Sequence, residues 1–247
     1  MSKFIINEDF WALFPEARIA VVLASGIDNT AAVYDKAGET IGGLLAKSVA
    51  EAGKYLTADV FSENRVIAVW RSAYQRFKTK KGARCSVEAL LKRVEKGTGI
   101  GQVNPLVDIY NAVSLTFGLP CGGEDIAAFR GDVLLKLADG GESFLAIGDE
   151  ERDDALPGEL VYKDDEGTIC RCWNWRDGQR TMLTGQTTDA FLVIECVDPA
   201  RFAELREAAE TLASLAEKHL GGKSTVYLMD AANREICLDQ AVADGSR

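Results

Sequence analysis

The stretch NPLVDIYNAVSLTFGLPCGGED, residues 104–125, divides the chain into two kinds of text. Asn104 followed by Pro105 is a good helix start. The Asn side chain caps the first turn, and proline fits the first helical position, where its missing N–H is no loss. The helical pattern runs from 105 to 118 and stops at Gly118, a residue suited to the left-handed end of a helix. Upstream the patterns are mostly helical. They fall at 7–13 with Asn7 as cap, at 36–55, at 62–78 and at 86–97, with one apolar strand at 17–27. In the 62–78 segment Ser62 is a candidate cap, and Val66, Val69, Trp70, Ala73 and Phe77 recur at helical spacing. Downstream the text turns to strands, at 131–137, 143–147, 159–163, 168–175 and 189–196, separated by turn signals such as ADGGE and DDEG. A helix over 199–219 and strands at 224–230 and 235–239 close the chain. This order implies an α+β fold, with sheets and helices packed as one unit over 1–247.

The chain has 247 residues, 47% of them hydrophobic, and a formal net charge of −10. No apolar run approaches the roughly 20 residues of a membrane helix, and the N-terminus lacks a secretory pattern, so a cytoplasmic protein without a membrane partner is expected. The total charge argues against generic nucleic-acid binding, but it hides a basic segment. Between Arg71 and Lys96 nine basic residues face two acidic ones, a local charge of +7. Between Glu124 and Glu166 fourteen acidic residues face four basic ones. The basic segment is either a solvated helical face or a surface for phosphates, with Arg71, Arg76, Lys78, Lys80, Lys81 and Arg84 as its candidate contacts.

Several chemistries are excluded or poorly supported. The one histidine, His219, falls at the end of a helix, where a cation is favourable for structural reasons. A serine triad and a His-Glu-x-x-His zinc helix are therefore not expected. The six cysteines include no Cys-x-x-Cys pair, so reduced thiols are expected, with neither a metal nor a cofactor. GTGIGQ (97–102) follows a helix rather than a strand and reads as a loop.

The remaining polar groups gather in three places. Asp108 and Asn111 share one side of the 105–118 helix, pointing at a common spot or holding nearby loop backbone. Pro120, Gly122, Gly123 and Glu124 lie in a glycine-rich loop that can bring backbone N–H groups to a ligand, or is merely a turn. CWNWRDGQRT (172–181) is the third. Read as extended chain, Ile169, Arg171, Trp173 and Trp175 share one face as core, with Arg171 between the indoles. Asn174 and Arg176 face a ligand, before a turn at Asp177-Gly178. The alternative for the indoles is stacking on bases of single-stranded RNA.

In order along the chain, VDIYNAVSLTFGLPCGGEDIAAFRG, GE at 141–142, PGELVYKDDEG, RCWNWRDGQRT and TTDAFLVIE resemble the B3/B4 module of the phenylalanyl-tRNA synthetase beta subunit, and more closely the free-standing proteins built around it. RSAYQRF and SVEALLKRVEKG are similar to the segment those proteins carry upstream, and FPEARIAVVLASGIDN adds a weaker match. The resemblance covers 65–197 and implies a β-sandwich with helical layers. It also implies editing, the hydrolysis of a wrong amino acid from tRNA, which answers the weak discrimination of a single binding step. Two positions depart from the synthetase pattern. Gly122 stands where it has a histidine, and Gln179 lies near the glutamate that reads a tyrosine hydroxyl. The chain is also short for a complete tRNA ligase.

Three functions remain open. One is an aminoacyl-tRNA deacylase, an ester hydrolase with water held by Asn111, Gly122, Gly123, Asn174 and Thr181, and substrate by Asp108, Pro120, Glu124, Arg176 and Gln179. The others are a non-catalytic tRNA- or RNA-binding module and a pocket for a free amino acid.

Overall fold

The computed structural model describes residues 2–35 and 40–239. In chain order its elements are β1 (Lys3–Ile6), α1 (Glu8–Leu13), β2 (Arg18–Ser25), α2 (Ile41–Glu51), α3 (Arg65–Ala73), α4 (Ser86–Glu95), α5 (Pro105–Phe117), β3 (Cys121–Asp125), β4 (Val133–Leu137), β5 (Leu160–Lys163), β6 (Thr168–Arg171), β7 (Arg176–Asp177), β8 (Asp189–Cys196), α6 (Phe202–Leu220), β9 (Lys223–Met229) and β10 (Glu235–Cys237). The fold is α+β, as expected. Residues 36–39 of the expected 36–55 helix lie outside the described residues.

Two sheets form. The larger has the order β10-β1-β4-β5-β6-β7, with β1 and β4 parallel and the other pairs antiparallel. The smaller is antiparallel, β3-β8-β2-β9. Period-two alternation explains how they stack. On β2, Ile19, Val21 and Leu23 join the core that also holds Phe4, Leu135, Tyr162 and Phe191, so this face meets the larger sheet. Ala20, Val22 and Ala24 instead join a second core with α5 and α6. The small sheet is thus buried on both faces, which is why β2 and β8 read as continuous apolar runs. Phe4 links the two sheets through Tyr162 (ring centroids 5.8 Å apart) and Phe191 (5.0 Å).

Helix α5 forms as its text implies. Asn104 accepts from the Val107 amide (3.1 Å), and Gly118 ends the helix at φ 59°. Three readings are corrected. Residues 121–125 are strand β3 rather than a loop, because β8 offers them a full ladder of partners. Residues 143–147 form no strand; Ala146 alone bridges to Gly178. The expected strand over 168–175 breaks at Arg171. Cys172 and Trp173 take positive φ (46° and 68°), and the chain reverses there rather than at Asp177-Gly178.

The reversal separates the two indoles that alternation had placed together. Trp173 is fully buried among Phe10, Phe14, Trp70 and Phe77. Trp175 is half-buried. Arg171 is not stacked between them; its guanidinium makes a buried two-point contact with Glu159 (2.6 and 2.9 Å). Replacing Trp173 with Ala removes the centre of this aromatic cluster. It should cost about 3–5 kcal/mol in urea unfolding, and Trp175→Ala clearly less.

Candidate functional site

A cavity of about 50 Å³ opens between the sheets. Its floor comes from Val133, Tyr162, Ile169, Phe191 and Val193, and its polar wall from Glu124, Asn174, Asp177 and Glu195. Its half-buried lining residues, among them Ser86, Gly122, Asn174 and Trp175, mark the opening.

Glu195 lies on the inward face of β8 and is 1% exposed. A buried carboxyl must be hydrogen-bonded, and it is. Tyr162 donates to Oε1 (2.8 Å) from the opposite sheet, and Asn174 donates to Oε2 (3.2 Å) from the left-handed turn. Burial pushes its pKa up to about 7, against the pull of these donors. Glu124, on β3, is also buried and lies well above the usual carboxylate range, first through burial and then through the charge of Asp177. Burial raises Asp177 as well.

The glycines of β3 have different duties. The Glu195 amide donates to the Pro120 carbonyl (3.3 Å), and the Asp125 amide donates to Thr181 on the far side (2.8 Å). Antiparallel alternation therefore aims the Gly122 amide at β8 and the Gly123 amide away from it. A Cβ at Gly123 would meet Leu192 at 2.6 Å and Leu183 at 3.0 Å, whereas at Gly122 it would meet nothing closer than Val193, at 3.7 Å.

Of the residues singled out from sequence, Gly122, Gly123, Glu124 and Asn174 line the cavity. Thr181 is buried beside Glu124. Pro120 is buried at the start of β3 but does not line the cavity. Asp108 does not join Asn111 in a ligand site. It accepts from the Tyr34 hydroxyl (2.5 Å) and the Val103 amide (3.0 Å), holding loop to helix. Asn111 is half-buried on α5, off the cavity. Arg176 pairs with Asp149 (2.8 Å), and Gln179 lines a separate surface pocket with Leu145 and Arg180. Sequence reasoning missed Tyr162, Asp177 as a lining group and, above all, Glu195. The available signal was a glutamate inside the apolar run FLVIEC, where an inward charge demands a reason.

The basic segment is partly neutralised. Arg71 pairs with Glu88 (2.7 Å), Lys80 with Asp153, and Arg76 lies over the Phe14 ring (4.7 Å). Lys78, Lys81 and Arg84 are exposed. Their loop ends at the cavity, where the Ser86 amide donates to the Asn174 carbonyl (3.0 Å) and the Tyr74 hydroxyl contacts both the Cys172 carbonyl and Asn174 Oδ1. Among the described residues no His/Cys/Asp/Glu group is arranged to hold a metal ion, and no helix is long and apolar enough to cross a membrane.

A family model described as the B3/4 domain matches residues 69–233, well over half of the chain. The chain belongs to the B3/4 domain family. It is 31% identical over 113 residues to the phenylalanine–tRNA ligase beta subunit of Novosphingobium aromaticivorans, an overlap of 46% of this chain and 14% of that one. It is 25% identical over 166 residues to the same subunit of Cereibacter sphaeroides, covering 62% of this chain and 20% of that one. The chain thus spans a fifth or less of the length of these relatives. An N-terminal fragment of the phenylalanyl-tRNA synthetase beta-subunit from Pyrococcus horikoshii aligns over 90% of this chain and 49% of that one, at 12% identity and a TM-score of 0.47.

Two outcomes follow for this B3/4 domain. Glu195 holds its proton more tightly when folded, so the native state binds more protons than the unfolded one between about pH 4.5 and 7. Stability should therefore fall as pH rises through that window, and Glu195→Gln should flatten the fall when urea midpoints are compared at both ends. Gly123→Ala should cost about 1–3 kcal/mol by overpacking, while Gly122→Ala leaves the midpoint nearly unchanged.

Proposed function

We propose that this B3/4 domain binds charged tRNA and hydrolyses the ester of a mischarged amino acid in trans. The observation that carries the reading is Glu195. It is a carboxylate poised near neutrality, steadied by Tyr162 and Asn174, in a cavity at the end of the exposed basic loop. In this reading Glu195 takes a proton from a water molecule, and the water oxygen adds to the ester carbonyl carbon. The bond to the ribose oxygen then breaks, and that oxygen leaves with a proton. The Gly122 amide is turned toward β8, so it is not the donor for the developing oxyanion. The half-buried Asn174 and Ser86 at the opening are better placed. Lys78, Lys81 and Arg84 meet phosphates, and Arg71 and Lys80 serve mainly their acidic partners.

A second reading is a pocket for a free amino acid or related small molecule. The small volume of the cavity and the net charge of −10 favour it, since it needs no polyanion.

The test is a panel of mischarged tRNAs. Amino acid should be released from at least one, with a rate that rises with pH through about 7 as Glu195 ionises. Glu195→Gln should slow release by about 10²-fold or more. Lys81→Glu with Arg84→Glu should weaken tRNA binding, and the effect should shrink at high salt. No release from any charged tRNA, with tRNA binding intact, defeats the catalytic reading.

A further inference from the structure

The cavity carries a charge imbalance that ester hydrolysis does not explain. Among the described residues three carboxyl side chains line it, Glu124, Asp177 and Glu195, and no lysine, arginine or histidine does. The three are not equivalent. Both oxygens of Glu195 accept from protein donors. Glu124 is 5% exposed, yet its Oε2 has no hydrogen-bond partner among the described residues. The Thr181 hydroxyl lies beside Glu124 without satisfying that oxygen. The nearby cation, Arg180, is held at two points by Asp164 (2.7 and 2.9 Å). Strand alternation puts Glu124 on the same face as Gly122, whose missing side chain leaves that part of the cavity open.

A buried acceptor without a donor costs about 1–3 kcal/mol, and more when charged. A ligand that brings the donor removes this cost. The surroundings narrow the ligand's chemistry. Three acidic groups repel an anion. The described residues offer no arrangement of metal ligands. A small cation with several N–H donors meets these conditions and supplies the donor that Glu124 Oε2 lacks.

We propose that the cavity recognises a primary ammonium group, with Glu124 Oε2 and the Asp177 carboxylate as its acceptors. The inference rests on the reading of this cavity as the receptor for an aminoacyl group. Such a group carries an ammonium at Cα, and some amino acids carry another at the end of the side chain.

The electrostatics give the pH sign. Burial first, and the charge of Asp177 after it, raises the pKa of both Glu124 and Glu195, so these carboxyls retain protons. The other titratable groups lining it, among the described residues, are the Cys121 and Cys170 thiols and the Tyr162 phenol. Burial raises all three and keeps them neutral. An entering ammonium favours the ionised carboxyls, so binding releases protons and affinity rises with pH until the ligand amine itself deprotonates.

The experiment is calorimetric titration of the full chain with three probes at millimolar concentration. Alaninamide presents an α-ammonium only, Nα-acetyl-lysinamide a side-chain ammonium only, and N-acetyl-alaninamide neither. One of the first two should bind at least about tenfold more tightly than the third, identifying which ammonium is read. Its enthalpy should depend on the buffer because protons are released. Glu124→Gln and Asp177→Asn should each weaken it by about tenfold, with thermal midpoints showing that both variants fold. Equal binding of N-acetyl-alaninamide, no binding by either ammonium probe, or unchanged affinity in a folded Glu124→Gln variant overturns the proposal. A parallel assay compares release from free and N-acetylated aminoacyl-tRNA. Equal release from both overturns ammonium recognition and leaves editing standing. Ammonium binding without release from any mischarged tRNA removes editing and leaves the ammonium pocket.

Discussion

A buried polar contact joins the two sheets through their core, the Glu195 carboxyl on β8 receiving the Tyr162 hydroxyl from β5. A carboxyl in that position is tolerated only while its acceptors are engaged. That requirement fixes much else. It sets the Tyr162 ring, which stacks on Phe4, which in turn meets the Phe191 edge. It also calls Asn174 inward to the second oxygen. The space left among these groups is the cavity, so packing and site are consequences of the same constraint.

Asn174 can answer that call only because the chain reverses at Cys172 and Trp173. Left-handed backbone costs a non-glycine residue roughly 1–2 kcal/mol. The cost is offset by the burial of Trp173 among four other aromatic residues and by the Tyr74 hydroxyl on the Cys172 carbonyl. Tyr74 follows α3, and its loop runs on to Arg84, so the aromatic cluster also anchors the basic segment beside the cavity. Strain of this kind is found where a site needs a side chain in a position that regular structure does not provide.

Much of the fold was legible. The α5 helix announced itself by local chemistry, an Asn cap, a proline and a terminal glycine, each acting within one turn. The β2 and β8 strands were legible because both their faces are buried. What escaped reading depends on distant partners. Strand β3 looked like a loop because glycines suit loops, and only β8 makes a ladder of them. The 168–175 segment alternated convincingly, yet the aromatic pocket for Trp173 overrode its period. The site was half legible for the same reason. Gly122, Glu124 and Asn174 stand in conspicuously polar text, whereas Glu195 belongs to an apolar strand and gains its meaning from Tyr162, thirty-three positions away. Asp108 drew attention by its place on a helix, and its partners proved to be structural.

Gly122 bears on how such a scaffold can diversify. It faces the cavity from a regular strand, and the nearest atom to an added Cβ is a valine methyl at 3.7 Å. Most positions that line a buried site are locked by their neighbours, so a change of chemistry there brings a loss of stability. This one is not locked. A single codon change can place a new functional group in the cavity while the sheets, the aromatic anchor and the Glu195 link stay as they are. The fold thereby separates the groups that hold it together from a position that only lines its cavity.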